Sequence, residues 1–255
     1  MMDSGNKIAL VTGASRGLGK NIALALAQKG TDVIVVYRNK AEEAGEVVAA
    51  IEALGRKAAA VQLDTANVST FDAFFASLSH ILQDKWGRSS FDFLINNAGI
   101  DRPSAFADTT EEAFDELMNV HFKGVYFLTQ KALAHMADKG RIVNLSTGLA
   151  RFSTQGYAAY ASMKGAIETL TKYQAKELGY RGITANVVAP GIIHTDFTKR
   201  AFDSHPGMED HINTITALGR VGMPDDIGGV VAFLCSEEAR WVTAQRIEAS
   251  GGMNL

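Results

Sequence analysis

Cysteine is almost absent from the sequence, since Cys235 is the only one among 255 residues. A lone cysteine excludes an internal disulfide framework and a metal site built from cysteines. Because Cys235 follows the apolar run Val230–Leu234, we expect it to be a buried structural thiol.

Long apolar runs and a strong excess of one charge are also missing. No stretch approaches the ~20 apolar residues that a membrane-spanning helix needs, and the polar segment Met1–Asn6 does not resemble a signal peptide. The net charge is −3, with lysine and arginine dispersed along the chain, which argues against a nucleic-acid partner. The histidines show no metal-ligand spacing with carboxylates. We therefore expect a cytoplasmic protein without a metal, a membrane anchor or a nucleic-acid partner.

Short apolar runs alternate with helix-like segments along nearly the whole chain. The predicted strands are Lys7–Thr12, Asp32–Tyr37, Lys57–Leu63, Phe91–Asn96, Arg141–Leu145, Thr184–Val188 and Arg246–Ala249. Helical patterns occupy Leu18–Lys29, Glu42–Leu54, Thr70–Lys85, Thr110–Ala137, Tyr157–Gly179 and Asp225–Cys235.

Several of these strands are continuously apolar, as strands covered on both faces are. Strand–helix alternation predicts right-handed crossovers and a parallel sheet. We predict one α/β domain over residues 1–255, a doubly wound (Rossmann-type) parallel sheet with helices on both faces. The weakly patterned, polar stretch at residues 192–216 is a candidate substrate lid.

A glycine-rich turn, Thr12–Gly19, lies between the first strand and the first helix. Glycines there permit a tight turn and let the backbone approach a pyrophosphate, which the free N–H groups at the start of the helix bind. The spacing is G-x3-G-x-G, which differs from the G-x-G-x-x-G of the standard dinucleotide fingerprint. The position of the turn therefore indicates a nucleotide site more strongly than its spacing does.

The end of the second strand indicates which dinucleotide is bound, because an acid there would bind the ribose 2′-hydroxyl of NAD. The strand ends in Tyr37-Arg38 without an acid, and Arg38, helped by Arg16, is suited to a 2′-phosphate. The alternative is that both arginines are solvated surface charges. We predict NADP(H) as the cofactor in preference to NAD(H).

Tyr160 and Lys164 are four residues apart in a predicted helix and so share one face. A phenol titrates at about 10, and a nearby ammonium moves that pKa toward working pH, as acid–base catalysis on a carbonyl requires. Ser146 and Thr147 end the preceding strand, at the edge where doubly wound sheets bind ligands.

Several motifs in this order resemble the short-chain dehydrogenase/reductase family along nearly the whole chain, and among its members most of all the 3-oxoacyl-acyl-carrier-protein reductases. They are Thr12–Gly19, Asn96-Asn97-Ala98-Gly99, Tyr160-x3-Lys164, Pro190-Gly191 followed by Thr195, and the ending Val242–Gln245 with Ser250–Gly252.

The resemblance implies that Tyr160 donates a proton, and that Lys164 holds the nicotinamide ribose and lowers the tyrosine pKa. It places Asp64 and Thr65 beside the adenine and Asn97 at its ribose, and it implies a homotetramer or homodimer. Together the turn and the resemblance predict these cofactor-binding residues: Gly13, Ser15, Arg16, Gly17, Leu18, Gly19, Tyr37, Arg38, Asp64, Thr65, Asn97, Ala98, Gly99, Tyr160, Lys164, Pro190, Gly191, and Ile193 and Thr195 at the nicotinamide carboxamide.

Two positions depart from the family pattern. A serine is expected thirteen residues before the tyrosine, where this chain has Thr147, with Ser146 one residue early. Neighbouring strand side chains point to opposite faces, so we expect one of the two to reach the substrate, and the register favours Thr147. The family's asparagine corresponds to His121, since Asn119 is two residues out of register. We expect His121 to hold a water that links Lys164 to solvent, and to add a pH dependence at about pH 6–7.

These features predict an NADP(H)-dependent oxidoreductase that reduces a ketone or 3-oxoacyl-type carbonyl to a secondary alcohol. The candidate catalytic residues are Tyr160, Lys164, Thr147, Ser146 and His121. The alternatives are an NAD(P)-dependent alcohol or sugar dehydrogenase that works oxidatively, and a non-catalytic dinucleotide sensor. Phe152 and Tyr157 either line a substrate pocket or pack in the core. The substrate itself is not encoded by the fold.

Overall fold

The computed structural model describes residues 6–255, and residues 1–5 of the polar N-terminal segment lie outside the described residues. Seven strands form one sheet in the order β3-β2-β1-β4-β5-β6-β7, and every pair of neighbours is parallel. The strands are β1 (Ile8–Thr12), β2 (Asp32–Tyr37), β3 (Ala58–Gln62), β4 (Phe91–Asn96), β5 (Met136–Leu145), β6 (Thr184–Pro190) and β7 (Arg246–Ala249).

Helices connect the strands and cover both faces of the sheet. They are α1 (Gly17–Gln28), α2 (Ala41–Ala53), α3 (Phe71–Trp86), α4 (Glu111–Met118), α5 (Gly124–Ala132), α6 (Ala158–Leu178), α7 (Asp196–Ser204), α8 (Met208–Ile215) and α9 (Asp225–Leu234). Among the described residues, no helix combines the length and the apolar character that a bilayer span requires. The predicted doubly wound α/β fold is confirmed.

Successive side chains of a strand point to opposite faces of the sheet and belong to two apolar clusters, one on each face. Ala9 and Val11 of β1 pack with α1, α2 and α9, whereas Ile8 and Leu10 pack with α3, α5 and α6. Cys235 is buried in the first cluster, and burial raises the pKa of its thiol to about 12. This agrees with its predicted structural role.

The order of the strands creates a crevice between β1 and β4. From β1 the chain proceeds outward through β2 and β3, then returns to the other side of β1 for β4. The connections that leave the carboxyl ends of β1 and β4 therefore diverge, and ligands of doubly wound folds bind at such a switch point.

The predicted long helix at Thr110–Ala137 is wrong in two respects. It is interrupted by a π-helical turn at Asn119–Lys123, which separates α4 from α5. It also ends at Ala132, because the backbone from Met136 onward belongs to β5, where Met136 pairs with Phe91. The helical pattern of the sequence continues through both places, so it gave no sign of the π turn or of the end of α5.

The predicted loop at residues 192–216 contains two helices, α7 and α8. Thr195 caps α7, and its side chain and that of Thr198 satisfy each other's backbone N–H groups. The segment was hard to recognise because both helices are short and mostly polar. Whether it serves as a lid depends on its relation to the site.

Candidate active site

The glycine turn at the end of β1 has the backbone that a bound pyrophosphate requires. Gly13 and Gly17 have φ values of 63° and 54°, a region that side chains disfavour. A Cβ on Gly19 would lie 2.2 Å from the Gly13 carbonyl oxygen. The first turn of α1 has no side-chain cap, so its N–H groups are available to phosphate oxygens. These residues fit a dinucleotide.

The loop after β4 is bonded directly to this turn. Asn97 Nδ2 donates to the carbonyl oxygens of Thr12 at 2.8 Å and Gly13 at 3.2 Å. The amides of Asn97 and Ala98 both donate to the Thr12 hydroxyl at 3.0 Å. The Asn97 side chain thus holds the glycine turn in this structure, while its predicted contact with a ribose stays a prediction.

Basic residues gather where β2 ends. Arg38, Asn39 and Lys40 line the cleft that the glycine turn opens into. Arg16 lies at the same mouth, where its guanidinium is 3.6 Å from the Asp196 carboxylate of α7. Tyr37, predicted here, instead packs against the apolar cluster that contains α1. Lys40 was missed by the sequence reasoning, although it follows Arg38 by only two residues.

Tyr160 and Lys164 face the same cleft from α6. Lys164 Nζ lies 5.7 Å from the centre of the Tyr160 ring and donates to the Leu145 carbonyl at 2.7 Å. Burial lowers the pKa of Lys164 to about 8. The pKa of Tyr160 is raised above its ordinary value, first by burial and then by the Asp101 carboxylate, while a hydrogen bond with Thr147 opposes the rise. The lowering expected from Lys164 is therefore not the dominant effect.

The two hydroxyls at the end of β5 point to different partners. Ser146 is buried, and its Oγ donates to Glu168 Oε1 at 2.7 Å. Glu168 also accepts from Arg246 Nε at 2.7 Å, so the Ser146 hydroxyl is part of an ion-pair network. Thr147 Oγ1 accepts from the Leu149 amide at 3.3 Å and lines the cleft with Tyr160, whose pKa it helps to lower. This geometry supports Thr147 over Ser146 as the hydroxyl that meets the substrate.

His121 lies inside the π-helical turn with its ring buried against Tyr160. The ring centroids are 5.0 Å apart, edge to face. Its Nε2 is 2.8 Å from the Ile100 carbonyl oxygen, and its Nδ1 has no partner among the described residues. Burial and the positive charge of Lys164 lower the pKa of His121 to about 3. The titration expected at about pH 6–7 is therefore wrong, because His121 stays neutral there.

Comparison with known proteins identifies the family. A model described as enoyl-(acyl carrier protein) reductase matches residues 13–254. The 3-oxoacyl-[acyl-carrier-protein] reductase FabG of Staphylococcus aureus is 40% identical over 251 residues, which are 98% of each chain. This chain belongs to the short-chain dehydrogenase/reductase family.

Solved structures of ketoreductases are similar over almost all of this short-chain dehydrogenase/reductase. The angucycline C-6 ketoreductase LanV, solved with bound NADP, superposes with a TM-score of 0.92 at 40% identity, covering 98% of this chain and 97% of that one. LugOII, a reductase of lugdunomycin biosynthesis, gives a TM-score of 0.92 at 38% identity, covering 98% and 99%.

One cleft of about 490 Å³ brings the predicted dehydrogenase/reductase residues together, apart from Tyr37. Phe152 and Tyr157, for which packing was the alternative, both line it. The lining residues that the sequence reasoning missed include Asn39, Lys40, Ile100, Asp101, Phe197, Thr198, Ala201 and Met208. Within residues 6–255, no cluster of histidine, cysteine and acidic side chains is suited to a metal ion.

The lowered pKa of His121 predicts an acid-dependent loss of stability. Below about pH 6.5 the unfolded chain protonates this histidine, while the folded protein, with a pKa of about 3, does not. Acidification from about pH 6.5 to about pH 5 should lower the free energy of unfolding by about 1–2 kcal/mol more than in His121→Asn. Urea unfolding at each pH measures this difference.

His80→Asn, which alters an exposed histidine, is the control and should follow the unmodified protein. Activity profiles of the unmodified protein and of His121→Asn should have the same shape between about pH 6 and 7. An activity inflection there that His121→Asn removes would show that His121 becomes charged in the working protein.

Proposed function

We propose that this protein reduces a ketone to a secondary alcohol with NADPH. The observation that supports this most directly is that Thr147 and Tyr160 line one cleft together with the glycine turn. The hydroxyl groups of Thr147 and Tyr160 can both donate hydrogen bonds to the carbonyl oxygen of a ketone.

Burial raises the pKa of Tyr160, so its phenol stays protonated at neutral pH. A protonated phenol is the form that donates a proton to a carbonyl oxygen in reduction. NADPH, when bound, supplies the hydride. Thr147 and Tyr160 hold the carbonyl oxygen, and Tyr160 gives its proton to that oxygen as negative charge develops there. A non-catalytic sensor would need none of this arrangement.

Lys164 and His121 assist proton transfer by Tyr160 in this proposal. With a pKa of about 8, Lys164 remains largely charged at neutral pH and stabilises the phenolate that forms when the proton leaves. Its position beside Tyr160 also suits contact with the nicotinamide ribose. His121 Nδ1, which has no partner within residues 6–255, accepts a hydrogen bond from a water that joins Lys164 to solvent in this proposal. A neutral imidazole performs this role as asparagine would.

The segment at residues 192–216 acts as the substrate lid of a single-domain protein in this proposal. Phe197, Ala201 and Met208 from α7 and α8 line the cleft. The ion pair between Arg16 and Asp196 links α7 to the cofactor side, so cofactor binding and lid position are coupled through Arg16. The cytoplasmic location expected from the sequence stays a prediction, which cell fractionation can test.

The carbonyl-polarising role of Thr147 and Tyr160 predicts unequal effects of three substitutions. Tyr160→Phe should lower turnover of a ketone panel by about two or more orders of magnitude. Thr147→Val keeps the shape of the side chain without its hydroxyl and should raise the activation free energy of ketone reduction by about 2–4 kcal/mol. Ser146→Ala, the matched control on the neighbouring residue, should be milder because Ser146 bonds to Glu168.

Steady-state kinetics with saturating NADPH separates these outcomes, and fluorescence titration checks that each variant still binds NADPH. Near-normal turnover in Tyr160→Phe would mean that the proton comes from another group. NADPH binding without reduction of any ketone by the unmodified protein would instead identify a sensor.

The basic end of β2 predicts a preference for NADPH over NADH. Arg38→Asp should raise the KM for NADPH by about 10- to 100-fold, the scale of a charge-assisted hydrogen bond, and should leave the KM for NADH nearly unchanged. Lys29→Asp makes the same charge change on an exposed residue at the end of α1 and should alter neither value. Equal KM values for the two cofactors in the unmodified protein would contradict this assignment.

Exposed aromatic side chains on two separate surfaces support a homotetramer. Tyr126 of α5 and Tyr173 of α6 are 42% and 62% exposed, whereas Phe233 of α9 and Trp241 are 46% and 94% exposed. Two different self-complementary surfaces generate a tetramer with three twofold axes. Light scattering should give about four times the chain mass of 27.3 kDa, and a monomer mass at micromolar concentration would contradict the proposal.

A further inference from the structure

Asp101 is a carboxylate on the substrate side of the cleft. It follows Ile100, whose carbonyl binds His121, and it lines the same cleft as Tyr160 and Tyr157. Its negative charge raises the pKa of both phenols. Burial raises the pKa of Asp101 itself, although the charges of Arg200 and Arg102 oppose that rise. A charged group therefore lies close to the place where the carbonyl is held.

Nothing in the described part of the chain neutralises this carboxylate by direct contact. Its Oδ1 is buried and has no hydrogen-bond partner within residues 6–255. The guanidinium of the adjacent Arg102 donates to the Glu116 carboxylate, from Nε to Oε2 at 2.7 Å and from Nη2 to Oε1 at 2.8 Å. Toward Asp101 the guanidinium donates to the backbone carbonyl, and the Arg102 backbone N–H bonds to the carboxylate, which leaves Oδ1 without a partner in this range. Arg200 is exposed on α7 and forms no ion pair within 4.0 Å of Asp101 in this range.

A buried carboxylate oxygen without a donor is unfavourable, because burial removes its hydrogen bonds to water and no hydrogen bond within the protein replaces them. Polar groups left unpaired in a ligand site commonly fix the orientation of the ligand. A substrate with an O–H group at this position would supply the missing donor. A simple 3-oxoacyl chain presents only C–H groups around its ketone and cannot.

The walls around Asp101 are aromatic. The Tyr157 ring lies 6.4 Å from the Tyr160 ring at 74°, and the Phe197 ring lies 6.3 Å from it on the lid side. Phe152 packs against Gly148, where an added Cβ would meet its ring at 2.9 Å. Aromatic walls favour flat ring systems, because aromatic pairs gain from offset and edge-to-face contacts beyond burial alone.

We propose that the substrate is an aromatic ketone with a ring hydroxyl group that donates a hydrogen bond to Asp101. The inference rests on the proposed ketone reduction and specifies its substrate class. Asp101 binds the hydroxyl, the aromatic walls hold the rings, and Thr147 and Tyr160 receive the carbonyl. Asp101 therefore selects the substrate and orients it without taking part in proton transfer.

Matched pairs of 1-tetralones test the hydroxyl requirement. Each hydroxy isomer on the benzene ring, apart from the one whose hydroxyl bonds to its own ketone, is compared with the corresponding methoxy compound, which lacks the donor. In the unmodified protein, kcat/KM for at least one hydroxy isomer should exceed that of its methoxy partner by about 10- to 100-fold, the scale of one hydrogen bond to a charged group.

Substitutions of Asp101 show whether this residue binds the hydroxyl group of the substrate. Asp101→Ala should reduce the hydroxy-to-methoxy ratio to about one, and Asp101→Asn should leave an intermediate ratio because an amide oxygen still accepts. Asp108→Asn, an exposed acid on the same loop, should keep the ratio and the rates of the unmodified protein. A ratio is insensitive to the fraction of each variant that is folded.

Three results would overturn the inference, and they differ from one another. A ratio near one for every isomer in the unmodified protein would show that the site does not read a hydroxyl. A high ratio that persists in Asp101→Ala would assign the reading to another residue. Bound NADPH with no ketone reduced would refute the proposed function together with this inference.

Discussion

The buried hydroxyl of Thr12 joins the two loops on which the whole site is built. It donates to the Ile95 carbonyl at 3.2 Å and accepts from the Asn97 and Ala98 amides at 3.0 Å each. The Asn97 side chain in turn donates hydrogen bonds to the carbonyl oxygens of Thr12 and Gly13. These bonds cross from β1 to β4 at the switch point of the sheet. The phosphate-binding turn and the loop that leads to Asp101 are therefore held as one unit.

A second network engages one of the two hydroxyl groups at the end of β5. Arg246 of β7 donates to Glu168 at 2.7 Å, to Glu248 at 2.8 Å and to the Thr147 carbonyl oxygen at 3.1 Å. Because Ser146 also donates to Glu168, its hydroxyl is engaged in this network. The bond to the Thr147 carbonyl holds the backbone of that residue, whose side chain lines the cleft that also contains Tyr160. The charged groups thus position a hydroxyl that they do not touch.

Burial is the common cause of the unusual titration behaviour in this site. It lowers the pKa values of Lys164 and His121 and raises that of Tyr160, since each shift favours the neutral form. Lys164 and His121 are also close enough that two positive charges would repel. A histidine is tolerated at the asparagine position because it stays neutral there, and as a neutral ring it retains one donor and one acceptor.

The sequence by itself determined the sheet and most of the cofactor site. β2, β4 and β7 begin and end at the predicted residues. In β2 and β4 the sequence shows these bounds because a strand covered on both faces needs apolar side chains at most positions. The glycine turn and the Tyr160–Lys164 pair were visible because each depends on residues close together in the chain.

The tertiary structure alone decided the remaining features, which depend on residues far apart in the chain. The π-helical turn changes backbone hydrogen bonding without changing the apolar pattern. The pKa of His121 depends on burial and on Lys164. Among the described residues the buried Oδ1 of Asp101 has no hydrogen-bond partner, while the guanidinium of the adjacent Arg102 pairs with Glu116. Desolvation and pairing arise only when these segments meet, so no local pattern of residues could have predicted them.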